Sequence, residues 1–245
     1  MSNGVEVRCW GSNNSGQLGQ GASSNSAYPI VLSPPLNKEV TALSAGMEFV
    51  CALLVDKTVK CWGANDQGQL GNDLRGNDSS VPVKVPFSTP PLSLATGFFH
   101  ACVGHGDRTL TCWGYNESGQ LGVSGVDVAP APIKSSVQGD ATTLRAGGAH
   151  TCINDASGAL QCWGSNETGQ LGIESAASSS KAVSPLIDNV RNVFLNFNSK
   201  HSCAQLKDGR ILCWGDNAYG QLGTGDQTTR GIEKGSMATL IPVPL

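Results

Sequence analysis

The 245-residue sequence predicts an all-β protein built from repeated units of short antiparallel strands, and three observations predict it. The tripeptide Cys-Trp-Gly occurs five times at intervals of 50 to 52 residues, which is a typical period of a repeat architecture. The 31 glycines indicate frequent turns, and charged residues make up only 14% of the chain, so long charged helices are not expected. Apolar and polar residues alternate with a period of two before the tryptophans, as in a half-buried strand.

Each unit is marked by its tryptophan, and the chain has no other tryptophans. Three residues after each tryptophan comes an asparagine, which we expect to bond to the local backbone, as asparagine does in turns. The segment Gly-Gln-Leu-Gly then follows, in which glycine supplies unusual backbone angles and leucine fills the core. The tryptophans are Trp10, Trp62, Trp113, Trp163 and Trp214.

Four strands are expected in each unit. The strand that ends in Cys-Trp-Gly pairs through a tight turn with a preceding strand, such as 49–53 or 201–206. A further strand, such as 40–43, lies ahead of that hairpin. Pro-flanked runs suit the outer edge, because proline cannot donate a hydrogen bond to an inner ladder. These runs lie at 29–31, 82–85, 130–133 and 242–243.

Four short strands in a period of about 51 residues are typical of a propeller blade. We therefore predict residues 1–245 to be a single β-propeller domain with about five blade units and essentially no α-helix. The first unit has no strand before the one that ends at Cys9, and the chain ends in a Pro-flanked run. We expect an excerpt of a longer array, with an open arc that pairs its edges with another chain as the alternative.

Eight of the nine cysteines form four pairs that are ten residues apart and symmetric about a hairpin turn. Directly opposed residues of antiparallel strands lie about 4.5 to 5.5 Å apart at Cα, which is within reach of a disulfide. The predicted disulfides are Cys51–Cys61, Cys102–Cys112, Cys152–Cys162 and Cys203–Cys213, and Cys9 is left free. The alternative is that each cysteine is merely a small buried hydrophobic residue. Disulfides favour an extracellular or other oxidising compartment, whereas the N-terminus lacks a secretory signal and leaves the cytoplasm as the alternative.

The repeat Cys-Trp-Gly-x-Asn-x-x-Gly-Gln-Leu-Gly, with Gly-x-x-His near the next hairpin, resembles the repeat of the regulator of chromosome condensation family. The resemblance covers the whole chain and implies a β-propeller, usually of seven blades, of which the five units would be an incomplete part. It does not fix a function. The family includes an exchange factor for the small GTPase Ran, ubiquitin-ligase and membrane-trafficking proteins, and a secreted inhibitor of β-lactamases.

No motif in the sequence indicates catalysis, a metal or a cofactor, so we expect no enzyme and no cofactor. Gly-Gln-Leu-Gly lacks the lysine and the following helix of a phosphate loop. His100, His150 and His201 precede cysteines by two residues, and Phe49 fills the same slot in an earlier unit. We interpret this slot as a packing position, because it accepts phenylalanine. Zinc ligands must also converge within about 2 Å of one ion, whereas equivalent positions of different blades are spread around a ring.

The remaining hypothesis is a non-catalytic scaffold that binds a protein partner through a face of the ring. The net charge of −3 provides no basic surface for nucleic acid, and no apolar run is long enough for a membrane span. Candidate partner-binding residues precede the histidine slot, where aromatic side chains are typical of binding hot spots. They are Met47, Glu48, Phe98, Phe99, Ser199 and Lys200.

Two alternatives stay open. Guanine nucleotide exchange on a small GTPase would require a wedge between blades, and the sequence contains neither a long insertion nor a basic tail. A secreted propeller that binds carbohydrate or inhibits an enzyme is favoured by the cysteine pairs.

Overall fold

The structure, a computed structural model, describes residues 7–21 and 34–243. These residues form four antiparallel sheets in which the strand order follows the chain. The described residues contain no α-helix, and a 3₁₀ turn at Ala141–Thr143 is their one short helical segment. The predicted all-β fold is therefore confirmed.

We number the sheets as blades 1 to 4 and the strands in chain order. Blade 1 comprises β1 (Val40–Ala45), β2 (Phe49–Leu54), β3 (Val59–Gly63) and β4 (Ser79–Val85). Blade 2 comprises β5 (Pro91–Thr96), β6 (His100–His105), β7 (Thr109–Tyr115) and β8 (Val128–Gln138). Blade 3 comprises β9 (Arg145–Ala146), β10 (His150–Asn154), β11 (Leu160–Gly164) and β12 (Ser179–Val183). Blade 4 comprises β13 (Val190–Phe194), β14 (His201–Leu206) and β15 (Ile211–Gly215).

The innermost strand of each blade, or the residues directly beside it, lines a common cavity. Residues 43–45, 94–96, 144–146 and 195–197 line one cavity of about 430 Å³, so the four blades are arranged around it. The hydroxyls of Ser44 and Thr96 lie 2.8 Å apart and join the inner strands of blades 1 and 2. This arrangement is that of propeller blades.

The central hairpin of every blade has the predicted register. Cys51 lies opposite Cys61, and the equivalent cysteines are opposed in the other three blades. Each pair is joined by a disulfide with its Cα atoms 4.1 Å apart, so all four predicted disulfides are present. Cys9 is a free cysteine.

The hydrophobic core lies between blades rather than within them. Trp113 of blade 2 packs with Leu70 and Val85 of blade 1 and has no exposed surface. Its indole Nε1 donates to the carbonyl of Gln69, in the Gly-Gln-Leu-Gly turn of the preceding unit, at 2.9 Å. Trp62, Trp163 and Trp214 make the same bond to Gln17, Gln120 and Gln170.

Gly71, at the end of one such turn, shows why this approach requires glycine. Its φ is 64°, and a Cβ there would lie 2.7 Å from Nε1 of Trp113. Any side chain at this position would therefore push the Trp113 indole away from the turn whose carbonyl accepts its hydrogen bond.

The asparagine of each unit organises the turn after the tryptophan, as predicted. Asn65 is fully buried, its side-chain oxygen accepts from the Leu70 amide at 3.0 Å, and its side-chain nitrogen donates to the Leu74 carbonyl at 3.1 Å. Asn13, Asn116, Asn166 and Asn217 accept from the equivalent leucine amides.

The outer edge of the blades differs in part from the prediction. Runs 82–85 and 130–133 lie in β4 and β8 as expected, and run 29–31 is outside the described residues. The strand predicted at 242–243 is wrong. At the edge of blade 4, Arg230 forms an isolated bridge with Gly215, and the Val243 amide donates to the Ile211 carbonyl at 2.9 Å.

The segment between these two contacts explains the difference at the edge of blade 4. Much of it folds as turns, in which the Gly231 amide donates to the Ser236 hydroxyl at 3.0 Å. Met237 from the same segment packs into the core beside Trp214. The outer edge of blade 4 is thus formed by isolated contacts at Arg230 and Val243, and no strand is described there. The first unit, described at 7–21, forms its asparagine turn, and the four sheets belong to the units that follow it, so the structure describes four blades where about five were predicted.

Candidate protein-binding face

One face of the ring carries most of the predicted partner-binding residues. We call it the upper face and define it by the loops 46–48, 97–99, 147–149 and 198–200 and by the asparagine turns 64–68, 115–119, 165–169 and 216–220. Loop and turn are joined in each blade by the hairpin register, because His100 lies opposite Gly114. The Tyr115 amide accordingly donates to the Phe99 carbonyl at 2.9 Å.

The loops of the upper face form a continuous backbone belt across the blades. The Met47 amide donates to the Phe98 carbonyl at 3.1 Å, and the Phe98 amide donates to the Gly148 carbonyl at 2.9 Å. The Gly148 amide then donates to the Ser199 carbonyl at 2.9 Å. Each bond crosses from one blade to the next, so the belt holds the upper face in one conformation.

Two buried histidines lie beneath the belt and bond to the next blade. His100 Nε2 is 3.0 Å from Thr151 Oγ1, which donates to the Gln120 carbonyl at 2.9 Å. Because a threonine hydroxyl has one hydrogen, His100 Nε2 must carry the proton in this contact. His150 makes the same contact with Ser202 at 2.9 Å.

Burial lowers the pKa of both His100 and His150 to about 3, so they are neutral at physiological pH. Phe49 occupies the equivalent slot in blade 1 and is equally buried. The residue of blade 2 that matches Thr151 is Ala101, which packs in the same core cluster as Phe49. A histidine in the slot is therefore matched by a hydroxyl in the next blade, and a phenylalanine by an apolar side chain.

A cavity of about 290 Å³ opens on the upper face across blades 2, 3 and 4. It exists because blade 3 carries Gly148 and Ala149 where blade 2 carries two phenylalanines. The small side chains leave space between the aromatic loop of blade 2 and the loop of blade 4. The lining residues are Phe98, Phe99, Tyr115, Ser118, Gly148, Ala149, Ser165, Glu167, Gln170, Asn198 and Lys200.

Three aromatic rings form one wall of the cavity. Phe98 and Phe99 are perpendicular, with ring centroids 4.6 Å apart, and Phe99 lies edge-on to Tyr115 at 6.4 Å. The Tyr115 hydroxyl donates to a Glu117 carboxylate oxygen at 2.5 Å, and this bond raises the pKa of the tyrosine to about 12. All three rings are partly exposed, so a partner could reach them and bury them in an interface.

Acidic groups outnumber basic groups around this wall. Glu48, Glu117 and Glu167 are exposed on the upper face, and the Glu167 carboxylate has no hydrogen-bond or ion-pair partner among the described residues. Lys200 is the one cation among the described residues that line the cavity. Tyr219, in the asparagine turn of blade 4, adds an aromatic ring that is 90% exposed.

The structure brings three of the six predicted partner-binding residues to the cavity, namely Phe98, Phe99 and Lys200. Met47 and Glu48 lie in the neighbouring loop of the upper face. Ser199 is buried, and its hydroxyl donates to the Asn196 carbonyl at 2.8 Å, so its side chain shapes the loop.

Sequence reasoning missed Tyr115, Glu167 and Tyr219. The cysteine spacing contained the signal for Tyr115, because opposed cysteines at 102 and 112 also place residue 115 opposite residue 99.

A larger cavity of about 440 Å³ lies at the hairpin turns of the opposite face. Its two carboxylates already hold their own turns. Asp140 accepts from the Thr142 amide at 2.9 Å, and Asp155 accepts from the Ala159 amide at 3.0 Å. No group of three or more potential metal ligands occurs in the part of the chain that the structure describes. None of its helical segments has the length and apolar character to cross a membrane.

Comparison with known proteins places these features in one family. The family model described as the regulator of chromosome condensation (RCC1) repeat matches residues 6–53, 58–103 and 208–245. A second model of the same repeat matches residues 40–69 and 194–221.

Relatives of known sequence are similar over much of the chain. The ultraviolet-B receptor UVR8 of Arabidopsis thaliana is 29% identical over 229 residues, which are 91% of this chain and 52% of that protein. The human regulator of chromosome condensation is 31% identical over 124 residues, which are 50% of this chain and 30% of that protein. The chain thus spans about half the length of UVR8 and less of the human protein.

Solved structures show the same fold. Human WBSCR16 matches with a TM-score of 0.80 at 20% identity, covering 96% of this chain and 62% of that one. Prp20p of Saccharomyces cerevisiae, whose structure was described with its binding to Gsp1p and histones, matches with a TM-score of 0.76 at 22% identity, covering 96% and 60%. From its repeat, its blades and these relatives, the chain belongs to the regulator of chromosome condensation repeat family of β-propellers.

Proposed function

We propose that this chain is a non-catalytic, protein-binding β-propeller whose partner binds the upper face at the cavity beside Phe98, Phe99 and Tyr115. The observation that carries the proposal is the cavity itself, in which three partly exposed aromatic rings form one wall of a space of about 290 Å³. A few well-packed anchor residues supply most of the binding energy in typical interfaces, and aromatic side chains are enriched among interface residues.

The belt supports the proposal because it reduces the entropic cost of binding. Main-chain hydrogen bonds from Met47 to Phe98 to Gly148 hold the loops in place before a partner arrives. A surface that is ordered in advance loses less conformational freedom when a complex forms. The relatives also support a protein partner, since Prp20p is described as binding Gsp1p and histones.

The proposal is tested by affinity capture with matched surface variants. Phe98→Ser removes one ring from the cavity, and Ala149→Leu fills the space without removing any contact. Leu92→Ser is the control, because Leu92 is 46% exposed and lines the cavity of the opposite face. We expect the unaltered protein and Leu92→Ser to capture the same proteins from an extract of the source cells, and both upper-face variants to lose them. Capture that is unchanged in both upper-face variants would contradict the proposal.

Guanine nucleotide exchange on a small GTPase is the alternative, and the 31% identity to the human regulator of chromosome condensation favours it. Small GTPases loaded with a fluorescent nucleotide distinguish the two functions. Binding without accelerated nucleotide release supports the scaffold, and accelerated release supports exchange.

A further inference from the structure

The charge and shape of the upper-face cavity indicate what it accepts. Building on the proposed function, we infer that the cavity receives an arginine side chain from a basic segment of the protein partner. Two properties of the cavity carry this inference, namely its aromatic wall and its acceptor groups, and its lining cation, Lys200, provides a test of the expected charge preference.

The aromatic wall suits a flat cation. Phe98 and Phe99 are perpendicular at an interplanar angle of 88°, and Phe99 and Tyr115 meet at 77°. Perpendicular rings present both faces and edges to a neighbouring space. A guanidinium group stacks on such faces through cation–π attraction and is less strongly hydrated than an ammonium group.

Carboxylates at and beside the cavity supply acceptors for the hydrogens of a guanidinium group. The Glu167 carboxylate is exposed and without a protein partner among the described residues, and Glu117 is held beside the cavity by its bond to the Tyr115 hydroxyl. A planar guanidinium group binds a carboxylate through two parallel hydrogen bonds, which a lysine ammonium cannot do.

Other occupants fit the same groups less well. An apolar anchor would cover the Glu167 carboxylate without pairing it, and an unpaired charge in an apolar contact is costly. An acidic segment would be repelled by Glu117 and Glu167. Lys200 opposes a cation at the rim, so it should weaken the binding of arginine and its removal should strengthen it.

The test uses fluorescein-labelled hexa-arginine and the neutral isostere hexa-citrulline, with fluorescence anisotropy at about 0.15 M salt, where distant charges are screened. We expect hexa-arginine to bind the unaltered protein and hexa-citrulline to show no binding. Glu167→Gln should weaken the binding of hexa-arginine about fivefold, the size of one partly exposed ion pair. Lys200→Ala should strengthen it, and Ala149→Leu should abolish it.

A matched variant controls for the overall charge of −3. Glu39→Gln removes the same charge beside the Val55 hairpin turn, since the Val55 amide donates to the Glu39 carbonyl. It should leave the affinity for hexa-arginine unchanged. Equal weakening by Glu39→Gln and Glu167→Gln, or equal binding of hexa-citrulline, would overturn the inference.

The inference and the proposed function can fail separately. Hexa-arginine should displace the proteins captured through the upper face. Partners that are lost with Phe98→Ser but not displaced by hexa-arginine would leave the protein-binding function standing and refute arginine recognition.

Discussion

The first unit of the chain and the unit of blade 2 carry the same motif in different surroundings. In both, the asparagine turn is formed, with the Leu18 amide donating to Asn13 at 2.9 Å and the Leu121 amide donating to Asn116 at 2.8 Å. Their tryptophans differ, because Trp10 is 65% exposed whereas Trp113 is fully buried.

This difference separates what a unit forms alone from what it needs a neighbour to form. The asparagine turn uses bonds within about ten residues and is complete in every unit. Burial of the tryptophan uses the Gly-Gln-Leu-Gly turn of the unit before it, and no such unit lies against Trp10 in residues 7–21 and 34–243. The local motif therefore determines the turn, and the repetition of the motif creates the core.

The largest expected effect comes from the tryptophans. Trp113→Ala should lower the free energy of unfolding by about 3–5 kcal/mol, because it leaves a cavity between blades 1 and 2. Trp10→Ala should change it by no more than about 0.5 kcal/mol, as is usual for an exposed side chain. Urea unfolding of the two variants measures both. Similar losses would show that the two tryptophans do not differ in burial.

The cysteines sharpen the same comparison. Replacing Cys102 and Cys112 together by alanine should cost about 2.5–3 kcal/mol in the chain-entropy account, because a closed loop of about ten residues is lost. Cys9→Ala removes no crosslink and should cost much less. Titration of the denatured, unreduced protein should find one thiol. A count of nine would contradict the disulfides.

The buried histidines give a smaller effect that depends on pH. Their pKa falls from 6.5 in the unfolded chain to about 3 in the folded protein, so the unfolded chain binds protons first. These two histidines leave the free energy of unfolding unchanged above pH 6.5. As the pH falls from 6.5 toward 3, protonation of the unfolded chain lowers the free energy of unfolding by at most about 1.4 kcal/mol per pH unit for each histidine.

A double variant isolates one histidine. His100→Phe with Thr151→Ala copies the natural junction of Phe49 with Ala101 and removes one of the two titrations. The loss of stability between pH 7 and pH 5 should therefore be smaller than in the unaltered protein. An unchanged loss would mean that His100 is already exposed to solvent in the folded state.

The parts of the fold that the sequence predicts are those that depend on short-range pattern. The cysteine spacing predicts the hairpin register, and the recurring asparagine predicts the turn, and both are confirmed. The outer edge of blade 4 could not be predicted in this way. Residues 242–243 have the Pro-flanked pattern and the Val243 amide bonds to Ile211, but much of the segment before them folds as turns and no strand is described there.

The cavity was missed for a different reason. It results from the absence of large side chains at Gly148 and Ala149. A sequence motif indicates which side chains are present, and it does not show where small residues leave an open space. The position of Tyr115 follows from the hairpin register, whereas the cavity depends on how the loops of blades 2, 3 and 4 are placed relative to one another. The spacing of residues within one unit does not indicate the distance between neighbouring blades.

The bond from each of the four buried indoles to the preceding turn gives the array a direction. The Gln120 carbonyl accepts from Trp163 and from Thr151, which both belong to the following blade. Every blade thus has an acceptor side and a donor side, as in a head-to-tail polymer. Blades could be duplicated or exchanged as whole cassettes only when these sides match. Suppose that a blade with a histidine in this slot preceded a blade with alanine at the position of Ala101. The buried Nε2 hydrogen of that histidine would then have no acceptor. The order of the blades is therefore part of the structure that the sequence encodes.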